Sequence, residues 1–254
     1  MIKKRTKQEH ITVFYLRHFR VIKTETSGDK AIKKNRISVV IPTLNVGVGI
    51  RPTLESITGL VNDVVVSDGG SSDCTVNFAH KSGAKVVRGA LGRGRQLHRG
   101  SEVTEGEWLL FLHADTVLEE GWLEEAQNFM NADLGKAGVF QFALNDVRWE
   151  ARIIEKGVSL RCRYLALPYG DQGLLISRSF YEDLGGFKPI PLFEDVDIIR
   201  RIGRQRLVFF KNRAVTSALS YQTNGFYFRP IKNLMLLLLY YFGVSPRYLA
   251  SLYK

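Results

Sequence analysis

"VNDVVVSDGGSSDCTVNFAHKSG", residues 61 to 83, changes its residue pattern halfway along. Its first half is a short β-branched run closed by an Asp-Gly-Gly turn. Its second half opens on Ser and Asp and stops at Gly83, the start and stop residues of a helix. A strand, a turn and a helix follow one another in a single short stretch, and the question is whether the neighbours repeat it.

They do. Upstream, "RISVVIPTLN" (36–45) is another β-branched run, ended by Pro42 and apolar on both faces, as a strand inside a parallel sheet is. "TLESI" (53–57) opens a helix after it. Downstream, "AKVVRG" (84–89) reads as a third strand, and "GRGRQLHRGSEVT" (92–104) as a Gly-rich loop running into a helix. "EWLLFLHADT" (107–116) reads as the fourth strand and "LEEGWLEEAQNFM" (118–130) as an acidic amphipathic helix. Strand and helix alternate at short spacing from 37 to 130. This predicts an α/β fold with a Rossmann-like, mostly parallel central sheet flanked by helices. The second half is less regular. It offers strands at 138–144, at "GLLIS" and at 206–218, a basic amphipathic helix over 151–167, and a helix with an acidic first turn over 193–203.

Composition bounds the function. At 254 residues, 45% hydrophobic, the chain buries a sizeable core. Its net charge of +11 suggests nucleic acid until it is divided. Residues 1–36 hold 11 Lys/Arg against 3 Asp/Glu, so most of the excess belongs to an N-terminal extension. With no interleaved aromatic and basic strands, nucleic acid is not an expected partner. The extension (1–35) reads as a solvated basic arm, with contact to anionic lipid as the second reading. It lacks the uninterrupted apolar core of a secretory signal. Two cysteines, Cys74 and Cys162, make no disulfide framework and no metal spacing, which fits a reducing, cytoplasmic location.

Ligands of open α/β sheets lie at the carboxyl ends of the strands. Four polar clusters fall there: Thr43 and Asn45, Asp68 to Ser71, Gly92 to Gln96, and His113 to Asp115. Each alone is ordinary turn chemistry; four at equivalent places point to a ligand. Asp68 can accept hydrogen bonds from a ribose or a base, and Gly69 and Gly70 admit close approach to the backbone. Arg93 and Arg95 suit phosphate oxygens. Asp115 suits a hard cation, since Mg²⁺ needs only one or two carboxylates when substrate phosphates supply the rest. "FEDVD" places Glu194, Asp195 and Asp197 at a helix start, where the reading is either N-terminal capping or a general base. Helix spacing sends Glu194 and Asp195 in different directions, so one of them at most is expected to face a given pocket.

"SVVIPTLN", "VVVSDGGSSDCT", "GRGRQ", "FLHADT", "YGDQGLLISRSFYEDLGGF" and "FEDVDIIRRI", in that order, resemble glycosyltransferase family 2 with the GT-A fold, over roughly residues 36 to 220. Within the family the chain resembles a small single-domain subgroup of bacterial and cyanobacterial type. The resemblance implies an inverting hexosyltransferase that moves a sugar from a nucleotide-diphosphate donor, UDP in the commonest case, to an acceptor hydroxyl. It implies Pro42, Thr43 and Asn45 lining the nucleotide pocket, and Asp68 at the base or ribose with Gly69, Gly70 and Ser71 beside it. Arg93 or Arg95 is implied at the diphosphate, with Arg95 and Gln96 over the nucleotide. His113 would stand where the family's Asp-x-Asp motif has its first Asp, and Asp115 would bind Mg²⁺ or Mn²⁺. Gly170, Asp171 and Gln172 would border the sugar and acceptor. Asp195, in its pair with Glu194, would be the base. Two departures bear on the metal: His113 replaces a carboxylate, and no His follows residue 113. The other reading is a nucleotide-binding scaffold that keeps the fold without turnover; intact Asp115 and Asp195 argue against it.

Residues 221–254 are expected to form an acceptor-side helical segment. "NLMLLLLYYFGVSP" (233–246) is too short to span a bilayer, for which ~20 apolar residues are needed. It reads as a packing helix, or as an interfacial one suited to a lipid or carotenoid-like acceptor at the inner face of a membrane. A small-molecule hydroxyl is the remaining acceptor class.

Overall fold

The computed structural model describes residues 36–132, 134–226 and 228–253, so the reading of the basic extension lies outside the described residues. Eight strands form one sheet: β1 (Ile37–Thr43), β2 (Asp63–Asp68), β3 (Lys85–Arg88), β4 (Trp108–Phe111), β5 (Thr116–Leu118), β6 (Ala137–Leu144), β7 (Leu174–Ser177) and β8 (Leu207–Thr216). Their order is β3-β2-β1-β4-β7-β6-β8-β5. The first four run parallel. β7 enters antiparallel between β4 and β6, and β8 lies parallel to β6. This is the mostly parallel, helix-flanked sheet that the alternating pattern predicts.

Side chains alternate across a strand, so each strand feeds two cores. Val39 and Ile41 of β1 with Leu110 of β4 point into one core, and Val40 with Leu109 and Phe111 point into the other. The first core is closed by α1 (Arg51–Ile57), α2 (Thr75–Lys81) and α4 (Trp122–Ala132). The second is closed by α3 (Arg93–Glu102), α6 (Arg178–Asp183) and α7 (Glu194–Ile202). α5 (Trp149–Leu165) follows β6, and three helices end the chain: α8 (Leu219–Asn224), α9 (Phe228–Tyr241) and α10 (Pro246–Tyr253). Leu236, Leu237 and Leu249 join the second core, so part of the C-terminal segment packs on the domain.

Three boundaries differ from the sequence reading. The fourth strand stops at Phe111, not at Thr116. His113 to Asp115 form a turn, closed by Thr116 N–H on the His113 carbonyl (3.3 Å) and pinned by Thr53 Oγ1 on the Ala114 carbonyl (2.9 Å). The chain then crosses to the far edge, where β5 pairs antiparallel with β8. The Gly-rich stretch is not a flexible loop beneath Arg93 and Arg95. The helix begins at Arg93, because Gly92 at φ +135° turns the chain directly into it. The helix read from residue 71 starts only at Thr75, since the preceding residues are used in the loop described next.

Candidate active site

The carboxyl ends of β1 and β2 hold one another. Asp68, wholly buried, accepts from Thr43 Oγ1 (3.1 Å), from the N–H of Gly70 (3.0 Å) and Ser71 (2.9 Å), and from Ser71 Oγ (2.5 Å). Burial raises its pKa, but these bonds outweigh burial and leave it lowered. Asn45, in the left-handed region at φ +51°, receives Ser72 N–H on Oδ1 (2.9 Å) and gives its own N–H to Ser71 Oγ (2.8 Å). Gln96 is a strut: Nε2 bonds the carbonyls of Thr43 (2.8 Å) and Ser67 (2.9 Å), tying α3 to both strands. Gly69 lies against that strut, where a Cβ would stand 3.1 Å from the Gln96 amide. Asp68 and Gln96 are thus engaged in shaping the pocket, while Asn45 and Gly70 stand exposed and Pro42 is half-buried at its edge.

A second group gathers where β4 ends. A cleft of about 410 Å³ is walled by Arg93, His113, Tyr169, Gly170, Glu194 and Asp195, over a floor of apolar side chains that includes Phe111 and Ile198. α7 brings both Glu194 and Asp195 to this cleft, against the expectation that only one would face it. They differ in company. Glu194 is buried and sits 3.3 Å from Arg93 Nη1. Asp195 is half-buried and accepts Gly170 N–H on Oδ2 (2.9 Å) and Val196 N–H on Oδ1 (2.8 Å). Phe193, just before them, is buried with φ +65°, a conformation costing a non-glycine residue about 1–3 kcal/mol. It sets the angle at which α7 enters the site.

Gly170 joins the two halves. A Cβ there would lie 2.8 Å from His113 Nε2 and 3.5 Å from Asp195 Oδ2, so only glycine admits both neighbours. Burial, with the Arg93 charge, pushes the His113 pKa down to about 3, and the imidazole is neutral near neutral pH. Asp171 lies beside this group. Burial raises its pKa to about 6 against the pull of Arg161, and its Oδ1 is buried with no hydrogen-bond partner. Gln172 faces inward: Nε2 bonds the Phe140 carbonyl (2.9 Å) and Oε1 accepts from Cys162 Sγ (3.2 Å), so it holds the loop. Arg95 is exposed and does not wall the cleft; two positions from Arg93 on a helix, it points elsewhere.

Asp115 is half-buried, and burial raises its pKa against the fields of Arg93 and Arg229. Among the described residues no three His, Cys, Asp or Glu side chains gather into a cation cage. A half-buried carboxylate with no ion pair among the described residues fits single-carboxylate attachment of a hard cation whose other ligands come from a substrate.

Sequence reasoning missed Tyr169, Arg161, Thr53 and Arg229. Arg161 stacks 3.5 Å from the centre of the Tyr169 ring, itself part of the cleft wall. Thr53 pins the His113–Asp115 turn. Tyr169, next to the Gly-Asp-Gln run, had a signal in its position. Arg161, one of several cations on α5, had none.

A mostly parallel, helix-flanked sheet with a cleft at the end of β4, and an acidic helix start facing it, is the GT-A arrangement. The family model described as glycosyl transferase family 2 matches residues 38–175, more than half of the chain, and the chain belongs to that family. It is 37% identical over 102 residues to glucosyl-3-phosphoglycerate synthase of Mycobacterium tuberculosis, covering 35% of this chain and 32% of that one. It is 36% identical over 93 residues to a PGL/p-HBAD biosynthesis glycosyltransferase of Mycobacterium bovis, covering 33% and 36%. Each match thus spans about a third of the relative. Among solved structures, the same M. tuberculosis synthase in complex with Mn²⁺, UDP and glucosyl-3-phosphoglycerate superposes with a TM-score of 0.51 at 22% identity, covering 72% of this chain and 70% of that one. S. aureus TarS superposes with a TM-score of 0.55 at 18% identity, covering 72% and 37%. These superpositions show the shared fold.

Proposed function

We propose that this chain transfers a sugar from a nucleotide-diphosphate donor, a UDP-sugar by preference, to an acceptor hydroxyl, with inversion at the anomeric carbon. The observation that carries the reading is Asp195, held by two backbone N–H groups at the head of a cleft it shares with His113 and Arg93. Each of its oxygens accepts one bond and keeps a lone pair to take a proton. In the reaction the acceptor O–H proton passes to Asp195. The acceptor oxygen bonds the anomeric carbon, and the bond to the diphosphate breaks with its electron pair leaving on the phosphate oxygen. Arg93, half-exposed, is placed to stabilise that charge. Glu194, buried against Arg93, orients the guanidinium, which leaves the base role to Asp195.

The strand-end loops shaped by Asp68, Ser71 and Asn45 would seat the nucleotide, and Gly170 and Asp171 would border the sugar and acceptor. Asp115 would hold Mg²⁺ or Mn²⁺, which when bound supplies positive charge against the departing diphosphate. Related solved structures carry Mn²⁺ or Mg²⁺ with UDP, in line with this reading. Two related structures were solved in complex with phosphoglyceric acid; for this chain the acceptor class inferred is a hydroxyl-bearing molecule.

Calorimetric titration with UDP and with GDP, with and without Mn²⁺, on the wild type and Asp115→Ala, tests it. Metal-dependent binding of UDP that is lost in the variant is the expected result. Binding of neither nucleotide, with or without Mn²⁺, would overturn the reading of a UDP- or GDP-linked donor.

A further inference from the structure

We propose that the outer face of α9 lies on the surface of an anionic lipid bilayer. This goes beyond the transfer reaction and does not depend on it.

Three observations carry it. α9 is apolar on two opposite sides. One side, at Leu236 and Leu237, is buried in the second core. The other carries Phe228, Ile231, Met235, Leu238 and, in the turn after the helix, Phe242, each between 51% and 84% exposed. The intervals of three and four residues place these five on one stripe of a helix. A surface helix of a globular domain is polar on that side; here, among the described residues, nothing covers the stripe, and a contiguous apolar patch of this kind marks a contact with something apolar.

The second observation is charge. From Ile198 to the last residue there is no Asp or Glu, while ten Lys and Arg occur in that span. Exposed Arg200 lies over the Tyr241 ring at 5.1 Å, and Arg247 stands exposed on the first turn of α10. An apolar stripe on a segment whose own charges are all positive complements a negatively charged surface with an apolar interior. A second copy of this chain would bring the same unpaired cations against themselves and fits less well. No helix among the described residues is long and apolar enough to cross a membrane, so α9 would lie in the interface plane.

The third observation is position. Leu236 and Leu237 of α9 share the second core with Ile198 and Ile199, which line the cleft. The helix that would meet the lipid therefore packs behind the cleft's apolar floor, and docking would bring the cleft close to the headgroups.

Co-sedimentation of the full chain with phosphatidylcholine vesicles, and with vesicles in which phosphatidylglycerol replaces part of the phosphatidylcholine, tests the proposal. Binding to the anionic vesicles only, weakened by added salt, is expected. Ile231→Glu with Leu238→Glu should lower the partition coefficient by about tenfold or more, since each replaces an aliphatic side chain that would be buried in the interface. Both residues are exposed, so unchanged circular dichroism and melting temperature will show that the fold is kept. Arg247→Glu should weaken binding by a few-fold, about the effect of reversing one surface cation. Failure to bind anionic vesicles overturns the proposal. So does binding that survives the double substitution, which would assign it to another part of the chain. A dimer in solution that the same substitutions dissociate would assign the stripe to a second copy instead.

Discussion

At the ends of β1 and β2 the polar side chains bond one another, whereas at the ends of β4 and in the loop before β7 they wait. Asp68 is surrounded by donors, and its pKa is lowered despite its burial. Asp171 and Asp115 are moved in the opposite direction by burial, and one oxygen of Asp171 has no partner. The first region is a cradle whose shape is complete in itself. The second keeps carboxylates under-satisfied, a state that costs stability and that substrate can relieve. Within one sheet edge, one half is satisfied internally and the other leaves polar atoms open, as the proposed chemistry needs.

The sharpest way to break this comparison is Asp195→Asn. The substitution keeps an acceptor for the Gly170 N–H and removes the carboxylate proposed as the base. Turnover should fall by about 10²–10⁴-fold, with the melting temperature little changed; product formation by the pure protein against its donor measures it. Retained turnover would move the base elsewhere.

Asp68→Asn should act the other way round, on stability and nucleotide affinity more than on the chemical step. An amide cannot accept every bond the carboxylate takes, and it leaves loop N–H groups unpaired, at a cost of about 1–3 kcal/mol. Because the folded pKa lies below the ordinary 3.8, the carboxylate stabilises the fold above that pH, and the contribution is lost as pH falls through the lowered value. Urea denaturation of wild type and variant at neutral pH measures the difference. An unchanged midpoint would show that the cradle does not depend on it.

The smallest effect is expected at Asp171. Its folded pKa, about 6, lies above the ordinary 3.8. The folded state therefore holds the proton more tightly, and this group's contribution to stability falls as pH rises from 3.8 through about 6. Asp171→Asn removes that loss, so it should raise the melting temperature above that window and leave it unchanged below. A variant equally stabilised at both ends would show that desolvation of the charge is not the cause.

The first half of the fold was legible because its signals are local. Each strand, turn and helix from Ile37 to Glu102 is specified within a few residues, by β-branched runs and Ser, Asp and Gly stops. The break at His113 was not, since the Thr53 hydroxyl that pins the turn comes from a distant helix and the partner of Thr116–Leu118 is a strand formed near the end of the domain. The same holds for the site. Asp68, Asp115 and Asp195 could be picked out by residue type and place, whereas Arg161 stands among other cations and is distinguished only by what lies against it.

By itself the sequence determined the alternation of elements, the family pattern and the identities of the carboxylates, because periodicity and turn chemistry act over short spans. The tertiary structure alone decided that Glu194 is buried against Arg93 while Asp195 stays open, and that Gly170 seats both His113 and Asp195. It also decided that one apolar face of α9 is covered and the other is not. These are facts of burial and close approach. They arise only when distant segments meet, and the opposite pKa shifts of Asp68 and Asp171 arise with them.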